Sequence, residues 1–253
     1  MLTALAMILL SPGDPKSGKH LVFDEEFNER GGVDQSNWYF DDAKPYNDEI
    51  ERYTSSPVNS SLEHGSLVIT ARKEGSAITS ARLESKKSWL YGYFEIRAKV
   101  PNGRGTWPAI WMLNDYLRKN DPDHKATWPR AGEIDIMENV GFDPPNFHFS
   151  LHCDNFNWMK KQQRTLVAPA DHPTDRYHIF ALDWEPTYIT FYMDHKAVYH
   201  VDKNSDDYGD WPFREPFYMI LNLAIGGNWG GQKGVDPAIF PAKFYVDYVR
   251  IYQ

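Results

Sequence analysis

Three carboxylates crowd one short segment, Gly132-Glu133-Ile134-Asp135-Ile136-Met137-Glu138-Asn139. Acids held together titrate apart, so that one ionises readily while a neighbour keeps its proton to higher pH. An ionised and a protonated carboxyl side by side supply a nucleophile and a general acid, the pair that splits a glycosidic acetal. Carboxyls about 5–5.5 Å apart serve a retaining double displacement, and a gap of about 6.5–9.5 Å leaves room for the water of an inverting one. Residues one pair apart along a strand favour the shorter figure. The bland alternative is a solvated strand face. Against it stands the repulsion of clustered acids with no Lys or Thr among them.

The segment that must position these acids is flanked by glycine and rich in β-branched residues, so it reads as a strand. In a regular strand Glu133 and Asp135 share a face while Ile134 and Ile136 point into the core. Glu138 lies five residues after Glu133, an odd offset that aims it at the core, where a lone carboxylate is costly. One extra residue near Ile136-Met137, a β-bulge, returns Glu138 to the face of the other two. The spacing therefore predicts a bulge beside the reactive groups.

Around this segment the chain is punctuated into short strands. Over residues 90–100, Leu90, Gly92, Phe94, Ile96, Ala98 and Val100 alternate with Tyr91, Tyr93, Glu95, Arg97 and Lys99, the period of a strand with one buried face. Further strands are expected over residues 65–73, 177–184, 188–194, 197–201, 217–224 and 244–252, with a hairpin around His195-Lys196. Turn clusters such as Pro101-Asn102-Gly103, Glu185-Pro186 and Gly226-Gly227-Asn228 separate them. No segment sustains a capped helical period. The pattern predicts an all-β, two-sheet antiparallel sandwich. Beyond residue 20 there is no linker, charge block or repeat, so residues 20–253 are read as one domain.

Composition narrows the partners. The chain has 253 residues, a formal net charge of −8 and 25% charged residues, proportions of a globular domain. An acidic protein disfavours nucleic acid and anionic membranes, and leaves neutral polymers open. Aromatic residues make up 15%, with nine Trp and fifteen Tyr. A large ring with a polar N–H is awkward to bury, and flat apolar rings suit the C–H faces of sugars, although β-rich proteins also favour aromatics. The single cysteine, Cys153, allows no intrachain disulfide and reads as an inert packing residue. Residues 1–10 are apolar but too short to span a bilayer. With the turn-rich stretch to residue 19 they read as the remnant of an export signal and a linker, and an exported bacterial protein can do without disulfides.

The motifs beyond the acids carry a resemblance. The carboxylate segment resembles the E-I-D-x-x-E signature of family 16 glycoside hydrolases, in the bulged form of the laminarinase-like branch. Tyr91-Gly92-Tyr93-Phe94-Glu95 and the run Pro101-Asn102-Gly103-Arg104-Gly105-Thr106-Trp107-Pro108-Ala109-Ile110-Trp111-Met112-Leu113 resemble the strand and Trp-rich loop that precede that active site. Leu221-Asn222-Leu223-Ala224-Ile225-Gly226-Gly227-Asn228-Trp229 and Val246-Asp247-Tyr248-Val249-Arg250-Ile251-Tyr252 resemble its C-terminal blocks. The likeness covers roughly residues 20–253.

The resemblance implies a lectin-like β-jelly-roll with a cleft on its concave sheet. It also implies retaining endo-hydrolysis of β-1,3-glucan and/or mixed-linkage β-1,3-1,4-glucan by a secreted, periplasmic or cell-surface monomer. Glu133 would be the nucleophile, Glu138 the acid/base, and Asp135 the group that orients Glu133. Trp107, Trp111 and Trp128 would floor the sugar subsites, Asn47 and Arg82 would bind hydroxyls, and His152, Asn228 and Trp229 would add contacts. Catalysis would need no cofactor. A structural calcium ion would sit far from the cleft on Glu26, the Gly65 carbonyl and Asp247, hard oxygen donors of the kind that cation prefers. Glu51 stands where many relatives have Gln, His195 where a hairpin Gly is usual, and Cys153 where Gly is common. The alternatives are a family 16 enzyme of agarase, porphyranase, carrageenase or xyloglucan type, and a non-catalytic glucan-binding protein. Sulfated substrates sit uneasily with the acidic balance, and the second alternative with the presence of both glutamates.

Overall fold

The computed structural model describes residues 14–28, 31–42, 46–119 and 127–253. The expected signal remnant over residues 1–10 lies outside them. The first strands are β1 Leu21–Glu25, β2 Trp38–Phe40, β3 Arg52–Tyr53, β4 Ser60–Glu63, β5 Ser66–Glu74 and β6 Ala77–Ser80. Next come β7 Arg82–Trp89, β8 Gly92–Lys99, β9 Thr106–Asn114, β10 Glu133–Asn139, β11 Asn146–His152 and β12 Arg164–Pro169. The last are β13 His178–Glu185, β14 Tyr188–Met193, β15 Lys196–Asp202, β16 Phe217–Ile225 and β17 Ala242–Tyr252.

They form two sheets. A seven-stranded sheet runs β12-β11-β10-β9-β16-β7-β2, and a ten-stranded sheet runs β15-β14-β13-β8-β17-β5-β6-β3 with β1 on β17 and β4 on β5. Every pairing between these strands is antiparallel except the two-residue contact of β3 with β6. The inner faces meet in one core: Phe94, Ile96 and Ala98 of β8 belong to the same buried cluster as Ile110 and Met112 of β9 and Ile134 and Ile136 of β10. Burying each large side chain of this kind stabilises the fold by about 1.5–3 kcal/mol, which holds the sheets face to face.

The predicted bulge is present in β10. On the β11 side Asp135 faces Ser150 and Glu138 faces His148, so Ile136 and Met137 together oppose Phe149. On the β9 side Asp135 faces Trp111 and Met137 faces Ile110, which leaves Ile136 as the extra residue. Ile134, Ile136 and Met137 are all 0% exposed. Two consecutive residues thus turn inward, and Glu138 emerges on the face of Glu133 and Asp135.

The structure corrects other expectations. The Trp-rich run is not a loop: residues 106–114 form β9, in the middle of the seven-stranded sheet. Its glycines and Pro108 suggest a loop, yet Trp107, Ala109, Trp111 and Leu113 alternate with the buried Pro108, Ile110 and Met112. Pairing with β10 begins at Ala109, so Pro108 lies beyond that ladder and its missing N–H breaks nothing there. The strand expected over residues 90–100 begins at Gly92 and is buried on both faces as far as Ile96, with Arg97 and Lys99 half-exposed. Its outer residues Tyr93 and Glu95 are covered, with the Lys16 ammonium 2.8 Å from Glu95 and over the Tyr93 ring. The hairpin turn falls on Asp194-His195, one residue earlier than expected, because both adopt positive φ (50° and 65°). A single helical turn, Tyr116–Lys119, follows β9.

Deleting Ile136 would leave Glu138 four residues after Glu133, an even offset that an unbulged strand still presents to the cleft, at the cost of one buried side chain, about 2–5 kcal/mol. The deletion variant is expected to keep measurable turnover and to melt well below the parent. A folded deletion variant with no turnover would contradict this reading of the bulge.

Candidate active site

A cleft of about 1300 Å³ crosses the outer face of the seven-stranded sheet, with β10 near its middle. Period-two geometry supplies its floor: Trp107, Ala109, Trp111 and Leu113 from β9, and His148, Ser150 and His152 from β11. Gly132 makes the turn into β10 at φ +90°, where a Cβ would stand 2.7 Å from Pro212. Only glycine admits that approach, and it delivers Glu133 directly to the cleft.

Each acid has its own partners. Trp128 Nε1 donates to Glu133 Oε2 at 2.9 Å, and Trp107 Nε1 donates to Glu138 Oε1 at 2.9 Å. Asp135 lies between them, 2% exposed, with His152 Nε2 at 3.2 Å from its Oδ2 and at 3.8 Å from Glu133 Oε1. Burial pushes all three carboxyls up to about 8, and the charge of Asp135 adds to the rise at Glu133 and Glu138. The positive field of His152 and the indole hydrogen bonds act the other way on both glutamates. At neutral pH the cluster therefore retains protons, which is the condition for a general acid beside an ionised neighbour.

Every substrate-binding residue expected from the sequence lines this cleft: Asn47, Arg82, Trp107, Trp111, Trp128, His152, Asn228 and Trp229. Arg82 is already engaged, with Asp41 at 3.2 Å and Glu84 at 2.8 Å, and it stacks on Tyr46 and Trp111. Its guanidinium therefore steadies the Trp111 platform. Trp229 meets Trp107 edge-on at 5.4 Å and His148 at 4.7 Å, so it braces the indole that holds Glu138.

Sequence reasoning missed several lining residues. His148 sits four residues before His152, an even offset on one strand that could have revealed it. Burial lowers its pKa, which keeps the ring neutral beside Glu138. Trp158, beside Trp128 in a 3₁₀ turn, and Glu49, Tyr46 and Asn222 carry no spacing signal, because tertiary contacts alone bring them to the cleft.

Glu133, Asp135 and His152 also offer one ligand atom each within 4.8 Å of one another, enough to hold a divalent cation. Such an ion would occupy the oxygens of Glu133 and Asp135 and so compete with any chemistry of the acids. The residues expected for calcium lie on the other sheet. Glu26 accepts from Arg250 at 2.7 Å, and Asp247 pairs with Arg97. Gly65 has φ +76°, and a Cβ there would meet Asn28 Oδ1 at 2.8 Å. Asn28 Oδ1 thus stands beside a backbone position that favours glycine, while the Glu26 and Asp247 carboxylates are each engaged by an arginine.

A β-sandwich with two indole-braced glutamates and an aspartate in an aromatic cleft defines a polysaccharide-cleaving hydrolase. Residues 34–250 match the family described as glycosyl hydrolases family 16, and the chain belongs to that family. It is 42% identical to a β-glucanase of Rhodothermus marinus over 92% of this chain and 85% of that protein. The solved laminarinase of Rhodothermus marinus superposes with a TM-score of 0.86 at 41% identity, covering 93% of this chain and 97% of that one. A mutant of SCLam, a non-specific endo-β-1,3(4)-glucanase, co-crystallised with 1,3-β-D-cellotriosyl-glucose, superposes with a TM-score of 0.86 at 37% identity, covering 94% of this chain and 95% of that one.

The raised carboxyls have a consequence for stability. The folded state keeps protons that the unfolded chain releases near 4.5, so this contribution is complete below that value and is lost as pH rises toward about 8. Melting temperature is expected to fall between about pH 5 and about pH 8, and Glu138→Gln, which cannot ionise, should flatten the fall. An equal slope in both proteins, followed by calorimetry, would contradict the assignment of Glu138 to the protonated cluster.

Proposed function

We propose that this protein hydrolyses β-1,3-glucan and mixed-linkage β-1,3-1,4-glucan internally, with retention of anomeric configuration. The observation that carries the reading is the emergence of Glu133, Asp135 and Glu138 on one face across the β10 bulge. The cleft continues past the acids on both sides, toward Tyr39 and Arg82 at one end and toward Thr165 and Trp158 at the other. A polymer can therefore lie through it and be cut within the chain.

In the first step the Glu133 carboxylate attacks the anomeric carbon as the glycosidic C–O bond breaks, and Glu138 gives its proton to the leaving oxygen. The indole N–H of Trp128 supports the charge on Glu133. Trp107 holds one oxygen of Glu138 and leaves the other for the proton. In the second step water attacks the same carbon, its proton passes to Glu138, and the ester bond to Glu133 breaks. Asp135, hydrogen-bonded to Glu133, orients that carboxyl and shares its charge. The two steps need no cofactor.

The natural polymer cannot enter a cell, which supports action outside the cytoplasm, as a monomer. Among the described residues no helix is long and apolar enough to cross a membrane. Calcium on Glu26, the Gly65 carbonyl and Asp247 would be structural. The arginines paired with Glu26 and Asp247 would have to turn aside for the ion.

Two measurements test these points. Proton NMR of barley glucan and laminarin digests should show the β-anomer of the new reducing end first. Glu138→Gln should lose about 10²–10⁴-fold in turnover, the range of general acid–base catalysis. First appearance of the α-anomer, or near-parental turnover of the variant, would overturn the mechanism. For the metal, calcium should raise the melting temperature of dialysed protein and leave that of Asp247→Ala unchanged. An equal rise in both would remove Asp247 from the site.

A further inference from the structure

Glu51, two residues from the cleft-lining Glu49, is buried at 1% exposure, and nothing in the reaction uses it. Its Oε2 accepts the Ile225 N–H at 2.8 Å. Its Oε1 is buried and meets no N–H or hydroxyl donor. The neighbouring side chain that shares a hydrogen bond with Glu51 is another carboxyl, Glu49. Two carboxyls can hydrogen-bond only when one of them carries a proton.

The surroundings decide which. Glu49 is partly exposed to the cleft, and its Oε2 accepts the Tyr53 hydroxyl at 2.9 Å. The Arg82 guanidinium also favours charge on Glu49, whereas Glu51 has only the backbone amides of Ile225 and of Glu51 itself to offset its burial. Glu51 is therefore the acid and Glu49 the carboxylate. The hydrogen bonds continue from there: Asn222 Nδ2 donates to the Tyr53 hydroxyl at 3.1 Å, and Trp111 Nε1 donates to Asn222 Oδ1 at 2.8 Å. The same segment is tied to β16 and the turn after it, with Ile50 N–H on Ile225 O at 3.0 Å and Asn228 N–H on Asn47 O at 2.8 Å.

We infer that Glu51 is a positioning residue for the glucan chain: as a neutral acid it donates to Glu49, and the hydrogen bonds through Tyr53 and Asn222 fix the Trp111 ring and the Asn47 loop in the cleft. This rests on the glucan reading above, because Trp111 and Asn47 are taken as sugar contacts. Burial and the charge of Glu49 hold the Glu51 carboxyl up to about 8. Above that pH two adjacent buried carboxylates repel each other and the chain of donors loses its end. Tyr53 and Arg82 are the titratable or charged groups that face the Glu49–Glu51 pair. A Gln at position 51 supplies the same acceptor and the same donor with no proton to lose.

The test is calorimetric binding of a linear β-1,3-linked glucotetraose to Glu133→Gln protein, in which the chemistry is stopped. The same titration on protein that also carries Glu51→Gln cancels the effect of the other acids. At about pH 6 the two should bind alike. Between about pH 6 and about pH 9 the dissociation constant should rise about fivefold or more further with Glu51 intact, the lower end of ordinary coupling. Tyr53→Phe should weaken binding at both pH values with the fold retained. An identical pH dependence with and without Glu51→Gln would overturn the inference. So would weaker binding of the Gln variant at pH 6 with an unchanged melting temperature. Absence of any binding at pH 6 while Glu51 is intact would instead refute the glucan reading itself.

Discussion

One inserted residue in β10 is the constraint from which the site follows. A strand alternates strictly, so acids at an odd offset cannot share a face unless the ladder slips by one. Ile136 provides that slip, and the adjacent Met137 also turns inward. The bulge keeps the core sealed with apolar side chains while it presents Glu138 to the cleft. The core in turn holds the bulge, because Ile134, Ile136 and Met137 are all packed between the sheets.

The cleft then sets the charge state. Three carboxyls packed on one stripe are unfavourable as three anions, and their burial raises all of them. Two indoles, those of Trp128 and Trp107, each hold one glutamate by a single hydrogen bond. His152 Nε2 stands 3.2 Å from Asp135 Oδ2, and Trp229 braces the Trp107 ring from the side. The aromatic excess of the composition therefore has two uses here. Some rings line the cleft, and some use their N–H groups to fix the acids. A surface built for stability alone would not gather such groups, which fits the general conflict between stability and function at reactive sites.

Much of this was legible in the sequence. Strict alternation marked the acid strand, and the odd offset of Glu138 demanded the bulge. The aromatic and polar residues that the family resemblance assigned all line one cleft. The failures have physical reasons. The family resemblance implied a Trp-rich loop where β9 stands, and Pro108 lies past the end of the β10 ladder, so its missing N–H breaks nothing there. The second buried face of β8 depends on Lys16, far away in sequence, folding over Tyr93 and Glu95. Glu49, Tyr53 and Asn222 come from separate elements and meet only once the sheets are stacked. No local period reports such a chain of hydrogen bonds.

The central claim is that Glu133 attacks the sugar while Glu138 protonates the leaving group. A 2-deoxy-2-fluoro β-1,3-linked glucobioside with a good leaving group would slow the second step and trap the covalent intermediate. Mass spectrometry of the digested protein should find the sugar attached to Glu133 and to no other residue. Attachment to Asp135 or Glu138, or rapid turnover of the reagent with inversion and no adduct, would contradict the account.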